Sequence, residues 1–188
     1  GLDWRLLGQP NFGQAMAQNL RSAIRQGARG LKIPKALGLM IRVPDGSLLR
    51  VDDTRLAPVF AAAGRMQIPV AIHVADPVAF WQPLSPNNER FEELRLNPDW
   101  SYSGKQVPSH KELMQQQRNL FAAHPQTKFV AVHIAGNAED LEWVDQLLTD
   151  FPNVSIDVAA RIPELGHHPW EIVRAFFVKH QDRILWGS

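Results

Sequence analysis

The strongest constraint on how this chain folds is a pattern that occurs twice. Between Ile68 and Pro77 a short apolar run, Val70 to Ile72, ends in His73 and is then broken by Asp76 and Pro77. Sixty residues on, Lys128-Phe-Val-Ala-Val-His133 repeats the arrangement. Runs without polar alternation suit parallel strands buried on both faces. A histidine at the carboxyl end of such a strand points into the space where α/β folds build their sites. Each histidine alone is accounted for by a satisfied core position. Their recurrence at equivalent places points to a metal or acid–base site.

The intervening segments read as helices. Phe12, Ala15, Met16, Leu20, Ala23 and Ile24 recur at helical spacing over 12–26, and Gly27 supplies a stop. Residues 28–33 form a strand ended by Pro34, with Lys32 at its carboxyl end. A loop over 38–51 contains a Pro44-Asp-Gly46 turn and a small hairpin, and Asp52 or Asp53 caps a helix over 55–66. Ser109 and Glu112 have capping-box spacing ahead of a helix that stops at His124-Pro125. After the His133 strand, a helix starts at Asn137, followed by a strand over 154–158, a helix over 170–180 and a strand over 183–186. Residues 1–4 read as the tail of an earlier strand.

Strand and helix alternate at intervals that predict a parallel sheet with right-handed crossovers. A doubly wound sheet would carry a Gly-rich phosphate turn after its first strand, and none is present. The expected fold is therefore α/β, part of a TIM-type (β/α)₈ barrel. Residues 75–108 form a long irregular connection holding Trp81, Trp100 and Tyr102. Connections of that length in a compact domain are functional or disordered, and the aromatic residues favour an ordered lid over the site.

Composition narrows the chemistry. With 20 Lys and Arg against 19 Asp and Glu, the net charge of +1 gives no general reason to bind nucleic acid or an anionic membrane. No apolar run approaches the roughly 18 residues of a membrane span; no signal peptide is visible, which favours a cytoplasmic location but says little for a chain that opens abruptly. With no cysteine, disulfides and thiolate metal sites are excluded.

Taken together, Gly30-Leu-Lys-Ile33, Pro69-Val-Ala-Ile-His73, Lys128-Phe-Val-Ala-Val-His133, Asn153-Val-Ser-Ile-Asp157 and Arg183-Ile-Leu-Trp-Gly-Ser188 resemble successive strands of the amidohydrolase superfamily. The branch they resemble is the amidohydrolase-related group that includes aminocarboxymuconate-semialdehyde decarboxylase. Asn88-Glu-Arg-Phe-Glu-Glu-Leu94, with Trp100-Ser-Tyr102, and Ala159-Ala-Arg-Ile-Pro-Glu-Leu-Gly166 resemble a bacterial subgroup of it. The resemblance covers essentially the whole chain, from the end of barrel strand 3 through strand 8. It implies a single, incomplete metal-dependent hydrolase barrel over 1–188 with a lid-like loop at 75–108. The family's His-x-His pair is not in the sequence, and its strand-8 aspartate would follow Ser188. The chain is thus expected to be cut from a longer protein and to be inactive alone. An incomplete barrel also leaves sheet edges open, so self-association into a homo-oligomer is expected.

By resemblance, His73 matches the fifth-strand metal ligand and His133 the sixth-strand histidine, which is either a ligand or the general base; the branch favours the base. The implied cofactor is a divalent metal, with zinc favoured. Lys32 matches a position that holds a carboxylated lysine in binuclear relatives, but it reads more as a cation for a substrate anion, or simply a barrel residue, than as such a bridge. Asp157 could orient His133 or the substrate, or pair structurally with Arg161. Arg161 could clamp a carboxylate in bidentate fashion or bridge to Glu164. His167 and His168 are adjacent, so their side chains diverge. His110, His124 and His180 fall at helix ends and read as structural, as cations complementing the helix dipole. The implied function is metal-dependent hydrolysis or non-oxidative decarboxylation of a small carboxylated or cyclic molecule. A catalytically inactive barrel remnant acting as a structural or binding module is the competing expectation.

Overall fold

A computed structural model describes residues 2–187. Five short parallel strands pair in sequence order: β1 (Leu31–Ile33), β2 (Val70–Ile72), β3 (Phe129–Ala131), β4 (Val154–Asp157) and β5 (Ile184–Leu185). Sequential parallel order with a helix in each crossover is the order in which a (β/α)₈ barrel adds strands. The α/β partial barrel is observed. The crossovers contain α1 (Phe12–Arg25) before β1, α2 (Ala57–Arg65), α3 (Phe91–Leu96), α4 (His110–Ala123), α5 (Leu141–Asp150), α6 (Ile162–Gly166) and α7 (Trp170–His180). Among the described residues no helix is long and apolar enough to cross a membrane.

Alternate strand residues bury fully into the core: Leu31 and Ile33, Val70 and Ile72, Phe129 and Ala131, Val154 and Ile156. Phe129 packs against Phe60 of α2 and Phe121 of α4, at ring-centroid distances of 5.8 and 4.8 Å. Burying such a side chain contributes about 1.5–3 kcal/mol. The remaining strand residues pair across the sheet as one row, Lys32, Ala71, Val130 and Ser155. This row is more open than the alternate positions. The strands expected to be buried on both faces are therefore fully buried on one and half-open on the other.

Local capping decides several boundaries. Residues 2–4 are not strand; Trp4–Leu6 form a 3₁₀ turn because the Asp3 carboxylate accepts the Arg5 amide and also grips its guanidinium at 2.7 Å. Asp53 caps the turn before α2, and Ser109 and Glu112 form the expected reciprocal box at α4. The helix expected from Asn137 begins at Leu141, where Asp140 accepts the Trp143 amide. Arg42 and Leu48 make an antiparallel bridge around the Pro44–Gly46 turn. Segment 75–108 is ordered around α3 and two 3₁₀ turns. Gly1 and Ser188, at the ends of two expected strand segments, lie outside the described residues.

Beyond β3 the chain enters the left-handed region, with φ of 61° at His133, 52° at Ile134, 57° at Ala135 and 71° at Gly136. At Gly136 the backbone lies so close to β2 that an added Cβ would sit 2.1 Å from the Val74 carbonyl oxygen. Gly136→Ala is expected to lower unfolding free energy by about 3 kcal/mol or more, combining left-handed strain with a backbone clash. Urea denaturation of the two proteins checks this.

Candidate functional site

The carboxyl ends of β2, β3 and β4 open into a cavity of about 240 Å³. His73, His133 and Arg161 line it, with Lys35, Asp76, Phe80, Arg90 and Trp100. The His73 and His133 rings meet edge to face, with centroids 4.4 Å apart.

The two histidines reach this contact by different routes. His73 continues the alternation of β2 two residues past Ala71, and its amide donates to the Ile33 carbonyl at 2.9 Å. His133 follows Val130 by three residues, and strict alternation would turn it away. The left-handed turn brings it back. Asp157 stabilises that turn by accepting the His133 amide at 2.8 Å and the Ala159 amide at 3.2 Å.

Their ring nitrogens are committed differently. His133 Nδ1 lies 2.8 Å from the Ala159 carbonyl oxygen. A carbonyl only accepts, so Nδ1 carries the proton and Nε2 keeps a lone pair. Burial pushes the His133 pKa down, with the nearby His73 and Arg161 charges adding to it, while the Ala159 bond and the more distant Asp157 carboxylate pull the other way. His73 Nε2 is buried without a hydrogen-bond partner. Asp76 Oδ1 is 3.6 Å away, beyond hydrogen-bond reach. An unpartnered imidazole nitrogen aimed into a polar cavity fits a metal ligand.

Asp76 is 5% exposed and carries the densest polar network in the cavity. Lys35 Nζ and the Tyr102 hydroxyl donate to its Oδ2 at 2.5 and 2.7 Å. Burial opposes its charge, but His73, Lys35 and Tyr102 more than offset this and hold its carboxyl well below the usual range. Burial, reinforced by the Asp76 charge, drives the Tyr102 phenol up.

Arg161 is buried and does not bridge to Glu164; Arg90 takes that carboxylate instead. Arg161 Nη1 donates to the Ala160 carbonyl at 2.7 Å, and Nε has no partner. Burial lowers its pKa, opposed by the Glu164, Asp76 and Glu139 carboxylates. Among the described residues Asp157 makes no salt bridge with Arg161; it hydrogen-bonds the His133 amide, and its Oδ1 lies 3.9 Å from His133 Nδ1. Lys32 sits on the half-open strand row, its pKa lowered by burial against the pull of Asp157. It is not part of the cavity lining, where the lysine is Lys35.

The structure thus gathers His73, His133, Asp157 and Arg161 at one rim and places Lys32 deeper along β1. Sequence reasoning missed Lys35, Asp76 and Arg90. Asp76-Pro77 was legible as a strand terminator but equally as an acid following a strand-end histidine. A second group able to approach a cation, Glu89, Glu139 and Glu164, has oxygens within 4.8 Å of one another. Arg90 pairs with Glu164 there and Glu139 accepts the Val78 amide at 2.7 Å, while Glu139 Oε2 and Glu164 Oε2 are buried without a partner.

The other histidines are structural, though not all for the expected reason. His110 opens α4 at its N-terminus, where a cation would be unfavourable, and its Nε2 instead bonds the Gly136 carbonyl at 2.8 Å in neutral form. His124 packs its ring on Phe60, and His180 bonds Asp145 at 2.7 Å. His168 bonds the Ala138 carbonyl, whereas His167 lies beside Glu89, so the adjacent pair does diverge.

A family model described as Amidohydrolase matches residues 3–188. No curated protein matches the chain. Among solved structures, it is similar to an uncharacterized TIM-barrel protein from Bordetella bronchiseptica, at 16% identity and TM-score 0.54, over 93% of this chain and 49% of that one. It is similar to 2,6-dihydroxybenzoate decarboxylase at 16% identity and TM-score 0.56, over 94% and 56%. A dihydroxybenzoic acid decarboxylase from Polaromonas with bound manganese aligns at 13% identity and TM-score 0.56, over 93% and 54%. At these identities the likeness is one of fold. The chain spans about half the length of these solved relatives.

Burial pushes His110, His124 and His133 below the ordinary histidine pKa. Below about pH 6.5 the unfolded chain therefore binds more protons than the folded one. The stability these groups contribute is complete above that value and is lost as pH falls through their folded pKa values. The urea midpoint should be lower at pH 5 than at pH 7.5, and His110→Gln should shrink the difference. A midpoint that does not fall on acidification would contradict neutral burial.

Proposed function

The chain belongs to the amidohydrolase family, and from that premise we propose that its protein is a metal-dependent hydrolase or non-oxidative decarboxylase acting on a small carboxylated or cyclic substrate. The observation that carries the proposal is the unequal commitment of two touching imidazoles. His73 Nε2 is buried and unpartnered, while His133 is held by Nδ1 and presents Nε2. In a non-catalytic module the orphaned nitrogen would cost about 1–3 kcal/mol with nothing gained.

His73 would hold a divalent ion, with zinc our preferred choice because imidazole and carboxylate donors suit it; when bound, it supplies Lewis acidity and positive charge at the cavity. His133 Nε2 takes up a proton from the reacting group or its water, and burial keeps the imidazole in the neutral form needed to do so. Asp157 fixes the turn that aims it. Arg161 offers unused guanidinium donors for a substrate carboxylate. Segment 75–108 acts as a lid. It contributes Phe80 and Trp100 to the cavity wall, is braced internally by Tyr102 on Asp76 and Trp81 on the Pro108 carbonyl, and is tied to α6 by Arg90 on Glu164. Covering the rim this way excludes water from the reacting atoms.

In the intact protein His73→Ala should reduce bound metal and abolish turnover with it. His133→Ala should keep its metal while the rate falls by about 10²- to 10⁴-fold. Metal analysis alongside turnover separates these roles; equal metal loss in both variants would make His133 a ligand. Arg161→Lys, which keeps the charge but not the fork, should raise KM for a carboxylated substrate by about tenfold with a smaller effect on kcat. An unchanged KM would remove Arg161 from substrate binding.

A further inference from the structure

The contact between His73 and Asp76 has the wrong length for a hydrogen bond and a suitable one for something else. His73 Nε2 and Asp76 Oδ1 stand 3.6 Å apart. That separation is beyond normal hydrogen-bond length, and His73 Nε2 has no hydrogen-bond partner. Two donor atoms bound to one tetrahedral zinc, at about 2.0–2.2 Å each, are separated by roughly 3.3–3.6 Å. The observed gap therefore matches an edge of such a coordination shell.

The rest of the Asp76 carboxylate is arranged for the same task. Both of its hydrogen bonds, from Lys35 Nζ and the Tyr102 hydroxyl, converge on Oδ2. Oδ1 is left towards the cavity, beside the orphaned histidine nitrogen. Carboxylates that bind metals are themselves held by hydrogen bonds through the remaining oxygen, which fixes their direction. Asp76 also lies on the first turn of the long connection, so the group that faces the ion would be the group that anchors Tyr102 of the lid.

We propose that Asp76 is a protein ligand of the same divalent ion as His73, bound through Oδ1, with Lys35 and Tyr102 as the residues that aim it. This rests on the metal-dependent reading above, and the tests separate the two. Cobalt(II) serves as the probe because its absorption reports on its ligands. Residues 1–188 contain no cysteine, so a thiolate-to-cobalt charge-transfer band that is present in Asp76→Cys and absent from the parent protein arises at position 76. The intact Asp76→Cys protein loaded with cobalt should show that band. Asp76→Asn, close in shape and still able to accept from Lys35 and Tyr102, should bind cobalt at least about tenfold more weakly than the parent in equilibrium dialysis. In crystals of the parent protein soaked with cobalt, the anomalous peak should lie within bonding distance of both His73 Nε2 and Asp76 Oδ1. That measurement needs no variant to fold. A peak bonded to His73 with Asp76 Oδ1 outside bonding distance would overturn the assignment while leaving the metal-dependent function standing. Undiminished cobalt affinity in Asp76→Asn would do the same. Failure of the intact parent protein to take up cobalt or zinc would sink both.

Discussion

Much of the site depends on the left-handed turn that follows β3. Four consecutive residues, three of them not glycine and one of those β-branched, occupy a region that costs about 1–3 kcal/mol per non-glycine residue. Such a stretch persists only where its surroundings over-determine it. Asp157 accepts the His133 amide, Ala159 holds the ring, His110 binds the Gly136 carbonyl and Val74 presses on Gly136 from the neighbouring strand exit. The four partners come from three separate parts of the chain: α4, the exit of β2 and the end of β4. The turn can therefore form only after the sheet has assembled, and once formed it locks the three strand ends together at the cavity.

Charge is handled around the cavity by pairing, with selected exceptions. Lys35 is matched by Asp76, and Arg90 by Glu164 and Glu93. Removing one member of a buried pair strands the other, so these pairs fix geometry more than they add stability. Arg161 and His73 each keep a buried nitrogen unpartnered, and behind them Glu139 and Glu164 each keep one buried carboxylate oxygen unpartnered. An uncommitted polar atom is unfavourable in a folded protein unless something arrives to satisfy it. The free nitrogens that line the cavity thus mark where ligands are expected, and the ion pairs mark the frame that holds them.

The fold was legible because its signals are local and repeated. Apolar triplets closed by Pro, Gly or His set the strands, and the capping residues Asp53 and Ser109 set two helix starts directly. Where capping competed with periodicity, it won: Asp3 turned an expected strand into a 3₁₀ turn, and Asp140 moved a helix start by four residues. The short helix Ile162–Gly166 escaped notice because five residues carry no periodicity. The histidines, Asp157 and Arg161 were legible from their places at strand ends. Asp76 and Lys35 were not, since their importance lies in a contact across 41 residues of sequence that no local pattern encodes. Lys32 lies on the half-open row of β1, paired with Ala71, and outside the lining of the cavity.

The repeat that first suggested the site is itself not what the sheet aligns. By motif, Val70 corresponds to Val130 and His73 to His133. In the hydrogen-bonded register Val70 pairs with Phe129, and Ala71 with Val130. The two motifs are therefore offset by one residue, and because strand side chains alternate, a one-residue offset moves a side chain to the opposite face. Two histidines placed identically by sequence would then point to opposite sides of the sheet. The left-handed turn absorbs the extra residue and restores the meeting of the rings at 4.4 Å. The same correction gives His133 a backbone carbonyl for its Nδ1, which His73, on an uninterrupted strand exit, lacks. One sequence motif thereby yields two histidines of different character: one with its tautomer fixed for proton transfer, the other with a bare nitrogen for a ligand.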